Sequence, residues 1–295
     1  MIAGQIVNGL MVGGLYALVA VGFTLIVGVL HRINFAHTEV FMVGGFVGLV
    51  VAERMPSIAM AAVAAFVIGG VLGLVVERIS FRRLGSEEAA ITAALSSMAV
   101  GLLMLDIVHH TWGTEPIALP LANALGPGGF ELFGVRFVPV QGLVIVLTAV
   151  LVLVLWWMME KTRTGRNIRA VSDNPTAAAL LGIPVRRIGQ QVFFLSSALA
   201  AMTGLLFALR VGTVNSDVGL SFALKALAVT AIGGMGNLWG AVVGGLLVGL
   251  MEALAIHYGF GPLAELVVWG CMILILLARP QGLFGSVFHG AGARA

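Results

Sequence analysis

A chain of 295 residues that is 60% hydrophobic and only 10% charged, with a mean hydropathy of +1.08, is not a soluble globular domain; those carry about a quarter charged residues. Its formal charge of +3 offers no nucleic-acid surface, and a single cysteine, Cys271, excludes an intramolecular disulfide and argues against cysteine–metal chemistry. The apolar runs lack the alternation of a membrane β-barrel and are long enough to cross about 30 Å of hydrocarbon as helices, so the chain reads as an all-α polytopic membrane protein.

Nine apolar segments are expected in chain order, at about 5–30, 38–52, 58–78, 89–110, 138–159, 191–212, 222–233, 238–256 and 263–278. The opening stretch MIAGQIVNGL has no basic n-region, so no cleaved signal peptide is expected. With the N-terminus outside and each segment crossing, the inner loops hold Arg32, then Arg78, Arg82 and Arg83. They also hold Lys161, Arg163, Arg166, Arg169, Arg186 and Arg187, and finally Arg279 and Arg294. These are 12 of the 16 basic residues. Cytoplasmic loops carry the excess of Lys and Arg, which selects this orientation and puts the C-terminus in the cytoplasm.

The segments at 38–52 and 222–233 are too short to span upright. Each is joined to a similar phrase, INFAHTEVFMVGG at 33–45 and LSFALKALAVTAIGG at 220–234, in which an aromatic–alanine pair precedes Gly-Gly. One phrase begins at the inner face and the other at the outer face, so the chain reads as eight or nine membrane segments in two inverted halves. In such folds, short glycine-interrupted segments mark a transporter's central site. Chance likeness between apolar strings is the competing explanation. Glycines spaced four apart, such as Gly9/Gly13, Gly69/Gly73 and Gly245/Gly249, suit close helix packing in lipid. The outer loop at about 111–137 carries Pro116, Pro120 and Pro127, and its FELFGVRF stretch predicts a short hairpin around Gly134. Residues 1–295 read as one transmembrane domain.

A polar island interrupts the apolar pattern at about 160–190, where TRTGRNIRAVSDNPTAAALLGIPVRRIGQQ (162–191) holds five arginines. Within it Asn174, or Asp173, caps a short helix, and Pro175 suits the first turn. Residues Ala177 to Leu181 propagate that helix, and Gly182 followed by Pro184 ends it. So short a helix is marginal alone in water. It reads either as a plug for a groove on another protein or as a surface helix resting on the membrane or on its own chain.

The stretch TAAALLG at 176–182 is similar to the cytoplasmic EAA-x-x-x-G loop of ABC importer permeases, with Thr176 in place of the glutamate. GRNIRAVSDNPTAAALLGI at 165–183, INFAHTE at 33–39, GGMGNLWGAVVGGLLVGLMEAL at 233–254 and RPQGLFG at 279–285 resemble the branched-chain amino acid ABC permease family, in its shorter, LivH-like type. The resemblance implies that Asn174, Pro175, Thr176, Ala177, Ala178, Leu181 and Gly182 form a coupling helix that seats in a cytoplasmic ATPase. It implies two such ATPase subunits, a second permease (a longer relative or a second copy) and an extracytoplasmic substrate-binding protein. It also implies a multi-pass location in a bacterial inner membrane. The chain has no G-x-x-x-x-G-K-[ST] loop, so it is expected to bind no cofactor itself, with ATP and magnesium on partner subunits and no enzymatic role of its own.

Charged residues inside the membrane need a partner or a task. Glu39 and Lys225 fall at nearly equivalent points of the two short segments, and Glu252 lies near the outer end of the eighth. Glu39 and Lys225 either line the path or form an internal ion pair that holds broken helices together. Asn34, Phe35 and His37, expected near the inner face, are candidates for satisfying backbone groups freed where the helix breaks. Phe222 completes the candidate path. No metal-ligand spacing or catalytic triad is present. The expected function is an ABC importer permease for branched-chain or other hydrophobic amino acids. An ion-coupled secondary transporter using Glu39, Lys225 or His37, an ABC permease for urea or short amides, and a scaffold without transport remain as alternatives.

Overall fold

The computed structural model describes residues 2–82, 89–123, 126, 130–132, 135–137 and 139–285. Arg83 and Arg294 lie outside them. Eleven α-helices dominate the described residues: α1 (Ile2–Leu30), α2 (His37–Arg54), α3 (Ile58–Val76), α4 (Ala90–Trp112), α5 (Pro139–Lys161), α6 (Arg163–Asp173), α7 (Pro175–Leu180), α8 (Val185–Val211), α9 (Val218–Gly233), α10 (Leu238–His257) and α11 (Ala264–Ala278). Seven are long and apolar enough to cross a membrane, namely α1, α3, α4, α5, α8, α10 and α11. This multi-pass helical architecture agrees with the composition. The two short segments differ from expectation in length: α2 has 18 residues and α9 has 16. A π-helical turn (Glu77–Phe81) extends α3.

α1 and α8 form the buried centre and run antiparallel: Asn8 meets Arg210 at one end, and Leu30 faces Gly189 at the other. α1 also packs antiparallel on α10, where Gly9, Gly13, Gly245 and Gly249 bring backbone against backbone. α2 lies against α8, and a Cβ on Gly44 or Gly204 would overlap the facing carbonyl of Ala201 or Phe41. Small residues at these crossings give lipid-embedded helices close van der Waals contact, which replaces the absent hydrophobic force between them. The glycine spacing thus served packing, as expected.

Two breaks organise this bundle. α1 ends at Leu30, six residues follow, and α2 starts at His37; α8 ends at Val211, six residues follow, and α9 starts at Val218. A shift of 181 residues carries Leu30 onto Val211, Asn34 onto Asn215, His37 onto Val218 and Phe41 onto Phe222. The local geometry repeats with it. His31 and Gly212 both take left-handed backbone, with φ of 53° and 82°, where each long helix stops. Asn34 Oδ1 accepts from Ala36 N (3.1 Å), and Asn215 Oδ1 accepts from Asp217 N (3.0 Å). These are the same Asx turn, a side chain substituting for the backbone partner that the broken helix lost. The repeat anticipated from Phe35-Ala36 and Phe222-Ala223 is therefore out of register: Phe222 corresponds to Phe41, and Lys225 to Gly44 rather than Glu39.

Both breaks return to mid-helix depth. Ala36 and Glu39 sit beside Gly101, halfway along α4, and Gly219 at the start of α9 sits beside Thr38 and Glu39. The first break is thus deeper than the inner-face position expected for it. The backbone N–H groups of Phe35, Ala36 and Asp217 find side-chain partners there, the condition for irregular backbone at membrane depth, while the buried Asn34 Nδ2, Glu39 Oε2 and Ser216 Oγ make no hydrogen bond.

The hairpin forms as expected, with β2 (Phe130–Leu132) pairing antiparallel with β3 (Val135–Phe137). An unforeseen ladder ties the same loop to the second break: β1 (Ile117–Ala118) pairs with β4 (Thr213–Val214), Ile117 opposite Val214.

Candidate functional site

The polar island folds into three pieces at the end of the bundle where α1 stops. α6 was not anticipated. Thr162 caps it by accepting from Gly165 N (3.2 Å), and Gly165, Ile168 and Val171 form its buried face. That i, i+3 stripe was the available signal. Ser172 donates to the Gly28 carbonyl and pins α6 to α1. α7 follows as read from its punctuation: Asn174 Oδ1 accepts from Ala177 N (2.9 Å), Pro175 opens the helix, and Gly182 leaves it at φ 80°. Asn174, Pro175, Thr176, Ala177 and Gly182 are all exposed, and Leu180 and Leu181 are 85% and 81% exposed. Ala178 is the exception among the candidate residues. It is 2% exposed and packs on its own chain, so it has no surface to offer a partner. Leu180, which was not singled out, does. Two bare leucines on a short capped helix carry apolar surface that its own fold leaves uncovered.

The same end is basic. Arg78, within the π-helical turn, and Arg82, just after it, converge with Arg186 of α8 around a cavity of about 600 Å³.

At the first break, the candidates divide by role. Asn34 closes the Asx turn and so satisfies a freed backbone N–H, whereas Phe35 contributes only its own freed N–H, which donates to Ser97 Oγ (3.0 Å). The His37 ring meets Ser196 Oγ at 3.3 Å, and Ser196 donates to the Gly22 carbonyl (2.7 Å). The His37 ring also packs on Phe23, with centroids 4.5 Å apart. Glu39 Oε1 lies 3.3 Å from Thr38 Oγ1, and its other oxygen faces Gly219.

Lys225 is not paired with Glu39. Its Nζ donates to Glu252 Oε1 (2.8 Å) and lies 3.4 Å from Glu265 Oε1, while the Tyr16 hydroxyl donates to Glu252 Oε2 (2.6 Å). α9 and α10 pack directly, so the nearest carboxylate comes from α10. Phe222 stacks on Phe41 with centroids 4.7 Å apart and touches Tyr16 and Phe207, forming an aromatic floor. Above it opens a cavity of about 430 Å³ between α1, α8, α9 and α10. Phe222, Lys225 and Glu252 line this cavity; Asn34, Phe35, His37 and Glu39 do not. Sequence reasoning missed Tyr16, Arg210 and Asp217, which also line it. The available signal for Arg210 was its position at the expected outer end of a span, against the positive-inside bias. The chemistry on offer is charged recognition beside apolar surface. No group of three or more His, Cys, Asp or Glu able to hold a metal occurs among the described residues.

Residues 5–277 match the family model described as branched-chain amino acid transport system / permease component. The chain is 32% identical, over 95% of its length and 94% of the relative's, to the high-affinity branched-chain amino acid transport system permease protein LivH of Escherichia coli (strain K12). It is 31% identical to the counterpart BraD of Pseudomonas aeruginosa, covering 95% of each chain. The ribose import permease protein RbsC of Bacillus subtilis is 31% identical over 50% of this chain and 48% of its own. No solved structure matches.

Proposed function

The chain belongs to the branched-chain amino acid transport system permease family, and from that premise we propose that it is the membrane subunit of an ATP-driven importer of branched-chain amino acids. It sits in a bacterial inner membrane with its N-terminus outside and its C-terminus in the cytoplasm, as two inverted halves of one transmembrane unit. Two cytoplasmic ATPases bind ATP and magnesium, a second permease, either a longer relative or another copy, completes the path, and an extracytoplasmic binding protein delivers the cargo.

The observation that carries this reading is α7, a capped two-turn helix presenting Leu180 and Leu181 to solvent at the basic end of the bundle. The positive-inside bias assigns that end to the cytoplasm. An ion-coupled transporter has no use for such a plug, and Lys225 is already neutralised by Glu252. ATP-driven closure of the ATPases pushes α7. Since α7 leads directly into α8, and α6 is pinned to α1, that push reaches both central helices.

The test is the double variant Leu180→Asp/Leu181→Asp in the reconstituted importer. Exposed substitutions of this kind change a chain's own stability by about 0.5 kcal/mol or less, so its melting temperature holds while ATP-dependent uptake falls at least about tenfold. Uptake at the parental rate, or uptake driven by a proton gradient with no ATPase present, contradicts the reading.

A further inference from the structure

We propose that the cavity between α1, α8, α9 and α10 is a recognition site for a free zwitterionic α-amino acid, in which Arg210 takes the carboxylate and Asp217 the ammonium. This deepens the function proposed above and rests on it, because the cavity lies at the end away from α7 and thus faces the compartment from which cargo arrives.

The assignment follows from which charges in the cavity are already spent. Glu252 uses one oxygen on Lys225 and the other on Tyr16, and Lys225 has Glu252 and Glu265 within 3.4 Å. Both Glu252 oxygens are thus hydrogen-bonded. The Arg210 guanidinium offers five N–H donors and makes one side-chain hydrogen bond, to Asn8 Oδ1 at 3.3 Å. No carboxylate lies within ion-pair distance of it among the described residues. A planar fork in a half-buried wall matches a two-oxygen anion in bidentate geometry.

Asp217 is the complementary free charge. It stands at the cap position of α9, yet its side chain makes no capping hydrogen bond, and it is exposed at the cavity mouth with no cation within ion-pair distance among the described residues. A lone anion would satisfy Arg210 and leave Asp217 opposing it; a lone cation would do the reverse. A neutral polyol or urea could hydrogen-bond to both groups but would neutralise neither charge. A zwitterion engages both, and the apolar walls from Val12, Phe207, Val218, Phe222 and Ile256 receive its side chain. The volume of about 430 Å³ lies within the range of small-molecule sites.

The experiment uses the complete permease–ATPase assembly in nanodiscs, without nucleotide or binding protein. Equilibrium binding of radiolabelled L-leucine is competed with L-leucinamide, which lacks the carboxylate, and with 4-methylpentanoate, which lacks the ammonium. The parent protein should prefer leucine over either competitor at least tenfold. R210Q should lose leucine affinity at least tenfold and abolish the preference over leucinamide, with R210K intermediate. D217N should abolish the preference over 4-methylpentanoate while keeping the preference over leucinamide. Assembly with the ATPases, checked by size exclusion, separates these effects from misfolding, and each of the two positions tests the site independently. Parental preferences in an assembled R210Q or D217N, in an importer that still takes up leucine, overturn the inference alone. A parent assembly that imports no amino acid with its binding protein overturns the permease reading as well.

Discussion

The two helix breaks share a plan and differ in state. At 31–36 and 212–217 the same left-handed stop and the same Asx turn interrupt a long central helix. Yet Asn34, Ala36 and His37 are wholly buried against α4 and α8, whereas Asn215 and Asp217 line an open cavity. The Asx-turn asparagine is covered at the first break, where Ile33 and Phe35 are nonetheless exposed, and opens on a cavity at the second, although the local backbone is alike. Openness at these positions is therefore set by what packs over each break. Around the first, α2 is clamped to α8 through Gly44 and Gly204; around the second, a two-residue ladder from the outer loop holds Thr213 and Val214 aside. A transporter that alternates between two openings needs this kind of matched pair, in which small repacking exchanges the sealed and open partners.

The comparison breaks most severely if the clamp is removed. Gly204→Ala drives a methyl into the Phe41 carbonyl on α2, a backbone atom that cannot move aside. Overpacking of that kind costs about 3 kcal/mol, so thermal unfolding in detergent should shift by well over 5 °C, or the variant should fail to accumulate. Unchanged melting would show that the first break is not held by this contact. Next in size is accessibility. In a Cys271→Ala background, Ser221→Cys in the open cavity should react with a membrane-impermeant maleimide at least about tenfold faster than Ala36→Cys, which is fully buried. Trapping the assembly with a non-hydrolysable ATP analogue should narrow the gap. Equal rates without nucleotide would dissolve the distinction between the breaks. The smallest effect separates the two Asx turns. Asn34→Ala leaves the buried Ala36 N–H unpaired and should cost about 2 kcal/mol, whereas Asn215→Ala frees the Asp217 N–H toward the cavity and should cost about 0.5–1 kcal/mol. Equal melting shifts would mean that burial does not distinguish the turns.

Much of this was legible in the residues. Apolar run lengths located the spans, and Asn174, Pro175 and Gly182 marked α7 to within a residue, because a cap, a missing N–H and a left-handed stop act over one turn of chain. The repeat was sensed but misaligned, since aromatic–alanine pairs recur by chance in apolar strings while the informative pair, Asn34 and Asn215, is polar and inconspicuous. α6 went unread because its arginines masked a buried Ile168–Val171 stripe.

What the sequence alone determined is therefore what short-range chemistry controls: the class of protein, the helices and their caps, and the basic end of the bundle. Tertiary structure decided which charges meet. Lys225 chose Glu252 because α10 lies beside α9, Ala178 turned inward because α7 folds back on its own chain, and Arg210 and Asp217 came to line one cavity. Pairing between residues far apart in the chain depends on how helices cross, and helices that are apolar on nearly every face carry almost no sequence record of their neighbours.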